Sequence, residues 1–150
     1  MANYFLDTSA FVKRYHPETG SDRVLALFSR LENHIYVSRL TLSETRSAFP
    51  LKVRTGHIPE SAAAALWIQV LADLAAAAFE VLPVLDSHYQ LAEGLIGRYG
   101  SRFRLRTLDA LQLAVAVDWN NQTPIDGLVL ADQALSEVAA AEKLPVILLA

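Results

Sequence analysis

Cysteine is absent from this 150-residue chain, which rules out disulfides, thiolate metal sites and a cysteine nucleophile. That absence fits a cytoplasmic protein. Long apolar runs are also missing. The richest stretch, Ser61 to Phe79, is broken by Gln69 and Asp73. No run reaches the roughly 18 residues that a membrane span needs, so no membrane association is expected. The N-terminus has no basic region leading into an apolar one, and Asp7 interrupts it early, unlike a signal peptide. The four histidines, His16, His34, His57 and His88, match no zinc spacing and read as surface or capping residues. There is no P-loop, no dinucleotide fingerprint and no serine nucleophile elbow. Lys and Arg do not occur from Thr55 to Gly97, nor from Thr107 to Glu142.

What is present is a strongly apolar chain, 53% hydrophobic, with a formal net charge of −3. Length and hydrophobicity predict one domain, residues 1–150, with a sizeable core. The net charge argues mildly against a general nucleic-acid coat, but the distribution says more. Arg98, Arg102, Arg104 and Arg106 fall together just before Asp109. Lys13, Arg14, Arg39, Arg46, Lys52 and Arg54 follow Asp7 or flank Glu44. Basic residues near candidate acids suit a polyanionic ligand, although solvated surface arginines give the same pattern.

Apolar runs and helical periodicities alternate. Strands are expected at Asn3–Leu6, Ile35–Val37, Val81–Leu85, Gly127–Ala131 and Val146–Leu149. Helices are expected at 20–32, from Thr41 to Gly56, from Pro59 to about Ala78, from Asp86 to Tyr99, from Thr107 to about Trp119, and at 133–142. Thr41-Leu42-Ser43-Glu44 fits a capping box, and Pro50 should kink or divide its helix. Asp86 and Thr107 should cap their helices, and Pro83 implies an edge strand or a bulge. Continuous apolar strands alternating with helices predict an α/β fold, with a mainly parallel central sheet and helices on both faces.

Four acids need an explanation. Asp7 ends the first strand and Asp132 the fourth, where helix capping is one reading and site-building at strand ends another. Asp86 belongs with the caps. Glu44 shares a helix face with Leu40, Ala48 and Leu51, while Leu42, Phe49 and Val53 form a second stripe, so it should be buried and in need of a partner. Asp109 opens a helix that is apolar almost all round and shares a face with Gln112 and Ala116. The macrodipole offsets only a fraction of a buried carboxylate's cost. Acids that converge need a counter-charge, and a hard divalent cation bound through oxygen is the simplest one. This combination points to metal-dependent chemistry on phosphate esters. On the alanine-rich helix, Leu66, Trp67, Val70, Leu71 and Leu74 form a stripe that reads first as core and second as interface.

These residues resemble the PIN-domain nucleases, most closely the VapC-type toxins of toxin–antitoxin pairs. Residues 4–13, YFLDTSAFVK, are similar to the family's opening strand, with its metal-binding aspartate and adjacent Thr and Ser. Residues 43–48, SETRSA, are similar to the second motif; residues 108–114, LDALQLA, to the third; residues 128–135, LVLADQAL, to the fourth. The resemblance covers essentially the whole chain. It departs at Ala131, where Thr or Ser commonly precedes the fourth acid, and at Pro50.

The resemblance implies a three-layer PIN-like fold and a Mg²⁺- or Mn²⁺-dependent endoribonuclease with catalytic acids Asp7, Glu44, Asp109 and Asp132. Asp7 and Asp109 would bind the metal most directly, and Glu44 and Asp132 partly through waters. Thr8 or Ser9 would position water or phosphate, and Arg98, Arg102, Arg104 and Arg106 would face the RNA backbone. A cognate antitoxin and a homodimer are implied as partners. Two rivals remain: a non-catalytic PIN-like binding module, and an aspartyl-phosphate phosphotransfer domain. The second lacks the usual acid two positions after Asp7, where Ser9 stands.

Overall fold

The computed structural model describes residues 1–149. Five strands, β1 (Asn3–Leu6), β2 (His34–Ser38), β3 (Glu80–Leu82), β4 (Gly127–Leu130) and β5 (Val146–Leu148), form one sheet in the order β3-β2-β1-β4-β5. Every pairing is parallel. The helices are α1 (Thr8–Phe11, continuing as a 3-10 turn over Val12–Arg14), α2 (Ser21–Ser29), α3 (Arg39–Arg54), α4 (Glu60–Ala75), α5 (Asp86–Tyr99), α6 (Thr107–Gln122) and α7 (Gln133–Ala141).

An all-parallel sheet has to be covered on both faces, which is why its strands read as continuous apolar runs. Side chains still alternate. Phe5, Tyr36, Leu128 and Leu130 point to one side, where Leu95 of α5, Leu111 and Leu113 of α6 and Val138 of α7 meet them. Leu6, Ile35, Val37 and Val129 point to the other, against Phe11, Val24 of α2, Phe49 of α3 and Val70 of α4. The result is the expected three-layer α/β arrangement. No helix among the described residues is long and apolar enough to cross a membrane.

Chain order reverses at β1: β2 and β3 lie on one side of it, β4 and β5 on the other. The crevice beyond the carboxyl ends of β1 and β4 is therefore the topological switch point. Asp7 directly follows β1, and Asp132 lies two residues beyond β4.

Several local expectations need correction. The α3 helix begins at Arg39 after Ser38, three residues earlier than the capping box suggests, and no side chain caps it. Thr41 is inside the helix and fully buried, because its hydroxyl faces neighbouring elements. Pro50 does not divide α3; Phe49 before it is fully buried and Val53 after it packs on the same core, so tertiary contacts hold both halves. Gly56 does close the segment, with φ 79.

The α4 helix stops at Ala75, short of Ala78. Ala77 takes the left-handed conformation (φ 57), and the Ala78 amide reaches back to the Asp73 carbonyl. This is a Schellman-type ending without its usual glycine, so the sequence carries no stop signal there. Pro83 ends β3 instead of sitting inside it, and β3 is an edge strand as expected. Asp86 and Thr107 are the first helical residues, not caps. His88 reaches back instead, its Nδ1 accepting from the Leu85 amide at 2.8 Å. The stripe on α4 is split: Val70 is fully buried, whereas Leu71 and Leu74 are partly exposed.

Phe11 is the pivot of the α1–α4 core, packed edge-on against Tyr15 and Phe79 with ring centroids 5.3 and 5.0 Å apart. Phe11→Ala should cost about 3–5 kcal/mol in urea unfolding. Leu31→Ala, at an almost fully exposed position, should stay within about 0.5 kcal/mol.

Candidate active site at the sheet switch point

Asp7 is held by the end of the central strand. Its amide donates to the Val129 carbonyl at 3.1 Å, tying it to β4. Its Oδ1 accepts from Ser9 Oγ at 2.6 Å and from the Ala10 amide at 3.1 Å. Asp7 thus does cap α1, but capping does not use up its charge. It is only 7% exposed, and no Lys, Arg or His among the described residues pairs with it. Burial pushes its carboxyl up to about 7, against the Ser9 and Ala10 hydrogen bonds that hold it down; the charges of Asp109 and Glu44 raise it further.

Glu44 lies in the second turn of α3. Its Oε1 accepts from Thr8 Oγ1 at 2.6 Å and from Gln112 Nε2 at 3.1 Å. Its surroundings are less closed than its helical phase suggests: Glu44 is half-buried and Leu51 is about half exposed. Asp109 sits in the first turn of α6. Its carboxyl is raised mainly by partial burial, lowered by Arg106 and raised again by Asp132. The Arg106 contact is long, 3.5 Å, and Arg106 is largely exposed, so it compensates Asp109 weakly. Asp132 caps α7 through the Leu135 amide at 3.0 Å.

The charges of Asp109 and Glu44 thus act on Asp7, and that of Asp132 on Asp109. Ser9 joins two of their segments: its hydroxyl donates to Asp7 and accepts from the Ala131 amide at 2.9 Å. Ala131 has no hydroxyl of its own, so Ser9 supplies the one that links β1 to the loop of Asp132. Thr8 and Ser9 both donate to carboxylates, Thr8 to Glu44 and Ser9 to Asp7.

The arginines are dispersed in their contacts. Arg98 pairs with Glu142 at 2.8 Å. Arg102 stands over Tyr99 and Phe103, Arg104 is exposed, and Arg106 reaches Asp109. No histidine among the described residues pairs with Asp7, Glu44, Asp109 or Asp132. His88 is the buried exception, bridging Leu85 and Asp118.

Gln112 is the residue that sequence reasoning passed over. Its Nε2 lies 2.9 Å from Thr8 Oγ1, 2.6 Å from Thr41 Oγ1 and 3.1 Å from Glu44 Oε1, and its Oε1 accepts from Ser38 Oγ at 2.8 Å. An amide in an apolar helix was a visible signal; its partners, far away in sequence, were not.

No three His, Cys, Asp or Glu side chains among the described residues converge as a ready-made cation cage. The donor set nevertheless fits a hard divalent ion. All the donors are oxygens, and the most buried carboxylate has no cationic partner among the described residues. Mg²⁺ characteristically uses one or two carboxylates and keeps several waters, so a protein cage is not required.

The PIN domain family model matches residues 4–141, and the chain belongs to that family. No curated protein sequence matches it. Solved structures similar to it are distant in sequence. VapBC2 from Rickettsia felis, bound to a DNA fragment from its promoter, has a TM-score of 0.63 at 14% identity, covering 97% of each chain. VapC20 from Mycobacterium tuberculosis, a toxin that cleaves the sarcin-ricin loop, has a TM-score of 0.63 at 19% identity, over 89% of this chain and 93% of its own. FitAcB from Neisseria gonorrhoeae has a TM-score of 0.60 at 18% identity, over 96% of each. At these identities the likeness establishes the fold.

The raised Asp7 carboxyl has a consequence for stability. In the unfolded chain Asp7 ionises near 3.8, in the folded one near 7. Between these values the folded state binds a proton that the unfolded state has lost, so its contribution to stability falls as pH rises. With chelator present, Asp7→Asn should gain Tm relative to wild type progressively from pH 4 to 7. Parallel melting profiles would show that Asp7 ionises normally.

Proposed function

We propose that this chain is a metal-dependent endoribonuclease, and that it is the toxin of a toxin–antitoxin pair. The observation that carries the proposal is Asp7 at the switch point, buried, with no Lys, Arg or His among the described residues paired to it and with the charges of Asp109 and Glu44 acting on it. Family membership gives the same direction, and the structurally similar VapC20 is a toxin that cleaves the sarcin-ricin loop. The whole chain, 1–150, is read as one nuclease domain working in the cytoplasm.

Asp7 and Asp109 would hold Mg²⁺ or Mn²⁺ most directly, and Glu44 and Asp132 would act partly through waters. When bound, such an ion would supply neutralising charge at a phosphodiester and lower the pKa of a nearby water. The protein's own groups do the positioning. Ser9 fixes the Asp7 carboxylate, and Thr8 fixes that of Glu44. Asp132 stays ordered by capping α7. Arg102, Arg104 and Arg106 lie in the segment leading into Asp109, with Arg98 at the end of α5, and offer positive charge to the RNA backbone.

The antitoxin reading also has support in the surface. An apolar groove of about 610 Å³ between α3 and α4 is lined by Leu42, Trp67, Leu71, Leu74 and Val81, with Arg39 and Arg46 beside them. It suits an amphipathic segment with acidic side chains, and the exposed Ile68 of α4 leaves further surface for a second copy of the chain.

Purified protein should cleave a structured RNA in Mn²⁺ and lose that activity with chelator. Asp7→Asn and Asp109→Asn should each slow cleavage by about 100-fold or more. Equal rates in wild type and both variants would contradict the assignment.

A further inference from the structure

We infer that Gln112 is a positioning residue for Glu44: its amide sets the direction of that carboxylate toward the cation site. The inference rests on the nuclease reading above and deepens it.

The orientation of the amide follows from its neighbours. Gln112 is 4% exposed, and Ser38 and Thr41 beside it are fully buried. Glu44 Oε1, 3.1 Å away, accepts only, so the nitrogen must be on that side. The oxygen then faces Ser38 Oγ, which donates to it at 2.8 Å. Nε2 has two hydrogens and three oxygens within reach: Thr8 Oγ1, Thr41 Oγ1 and Glu44 Oε1. Thr8 Oγ1 passes its own hydrogen on to Glu44. Glu44 Oε1 thus accepts from Thr8 and lies within reach of the Gln112 amide, which also contacts Thr8 Oγ1.

The elements joined here are the ones that carry the acids. Thr8 follows Asp7, Thr41 and Glu44 are on α3, and Gln112 is one turn along α6 from Asp109. One buried side chain therefore fixes the mutual placement of three of the four acid-bearing segments. Hydrogen bonds that orient a carboxylate in this way commonly control metal affinity and rate together. Deleting the donor should free the Glu44 carboxylate to rotate toward solvent. It should leave RNA contact surfaces unchanged.

The test combines calorimetric Mn²⁺ titration with cleavage of a structured RNA transcript. Gln112→Met keeps the volume and removes the donor; Ser38→Ala removes only the group that holds the amide's orientation. Gln112→Met should weaken Mn²⁺ binding by about tenfold or more and lower kcat by a similar factor, with KM for RNA unchanged. Ser38→Ala should show a smaller loss of the same kind. On a Glu44→Gln background, Gln112→Met should change Mn²⁺ affinity by less than about twofold, because the two side chains act as one unit. Wild-type Mn²⁺ affinity and kcat in both variants would overturn the inference and leave the nuclease reading standing. Additive losses in the double variant would also overturn it. A wild-type protein that neither binds Mn²⁺ nor cleaves would remove the nuclease reading, and this inference with it.

Discussion

Asp7 is anchored in the interior at the end of the central strand, with a hydroxyl and an amide as its hydrogen-bond donors and no positive side chain among the described residues paired with it. An ionised carboxylate in such a place is costly. Two further acids add their fields to it, and a fourth adds its field to Asp109. A protein selected for stability alone would place an arginine or an apolar residue there. The arrangement becomes intelligible once a divalent cation is assigned as the missing charge.

The fold brings these acids within range of one another's charge. An all-parallel sheet puts every strand's carboxyl end on one edge, and the reversal of order at β1 leaves a crevice between the β1 and β4 exits. The two strand-end acids need only follow the strands. The two helix-borne acids sit in the first two turns of α3 and α6, where a hydroxyl and amide network joins the elements. Apolar layers on both faces keep those elements in place, so the polar cluster does not have to supply the cohesion.

Much of this was legible in the sequence. Short apolar runs located the strands, because a buried parallel strand has few other ways to be written. Asp7 and Asp132 could be placed by their position after such runs. What failed was local chemistry with two possible partners. Thr41 and Glu44 have the spacing of a capping box, yet Thr41 is inside the helix and both residues bond across to Thr8 and Gln112. Pro50 looked like a break, but buried Phe49 before it and partly buried Val53 after it carry the helix past it. The ending of α4 used an alanine where glycine is usual. Gln112 could be seen as polar among apolar neighbours, but its role depends on residues more than sixty positions away in the chain.

Crystals grown with Mn²⁺ and measured at the manganese edge test the central claim most directly. The account predicts anomalous density within coordinating distance of the Asp7 and Asp109 carboxylates, with Glu44 and Asp132 reaching it directly or through water. Anomalous density only at other sites, or a fully occupied lattice with none in this crevice, would contradict it.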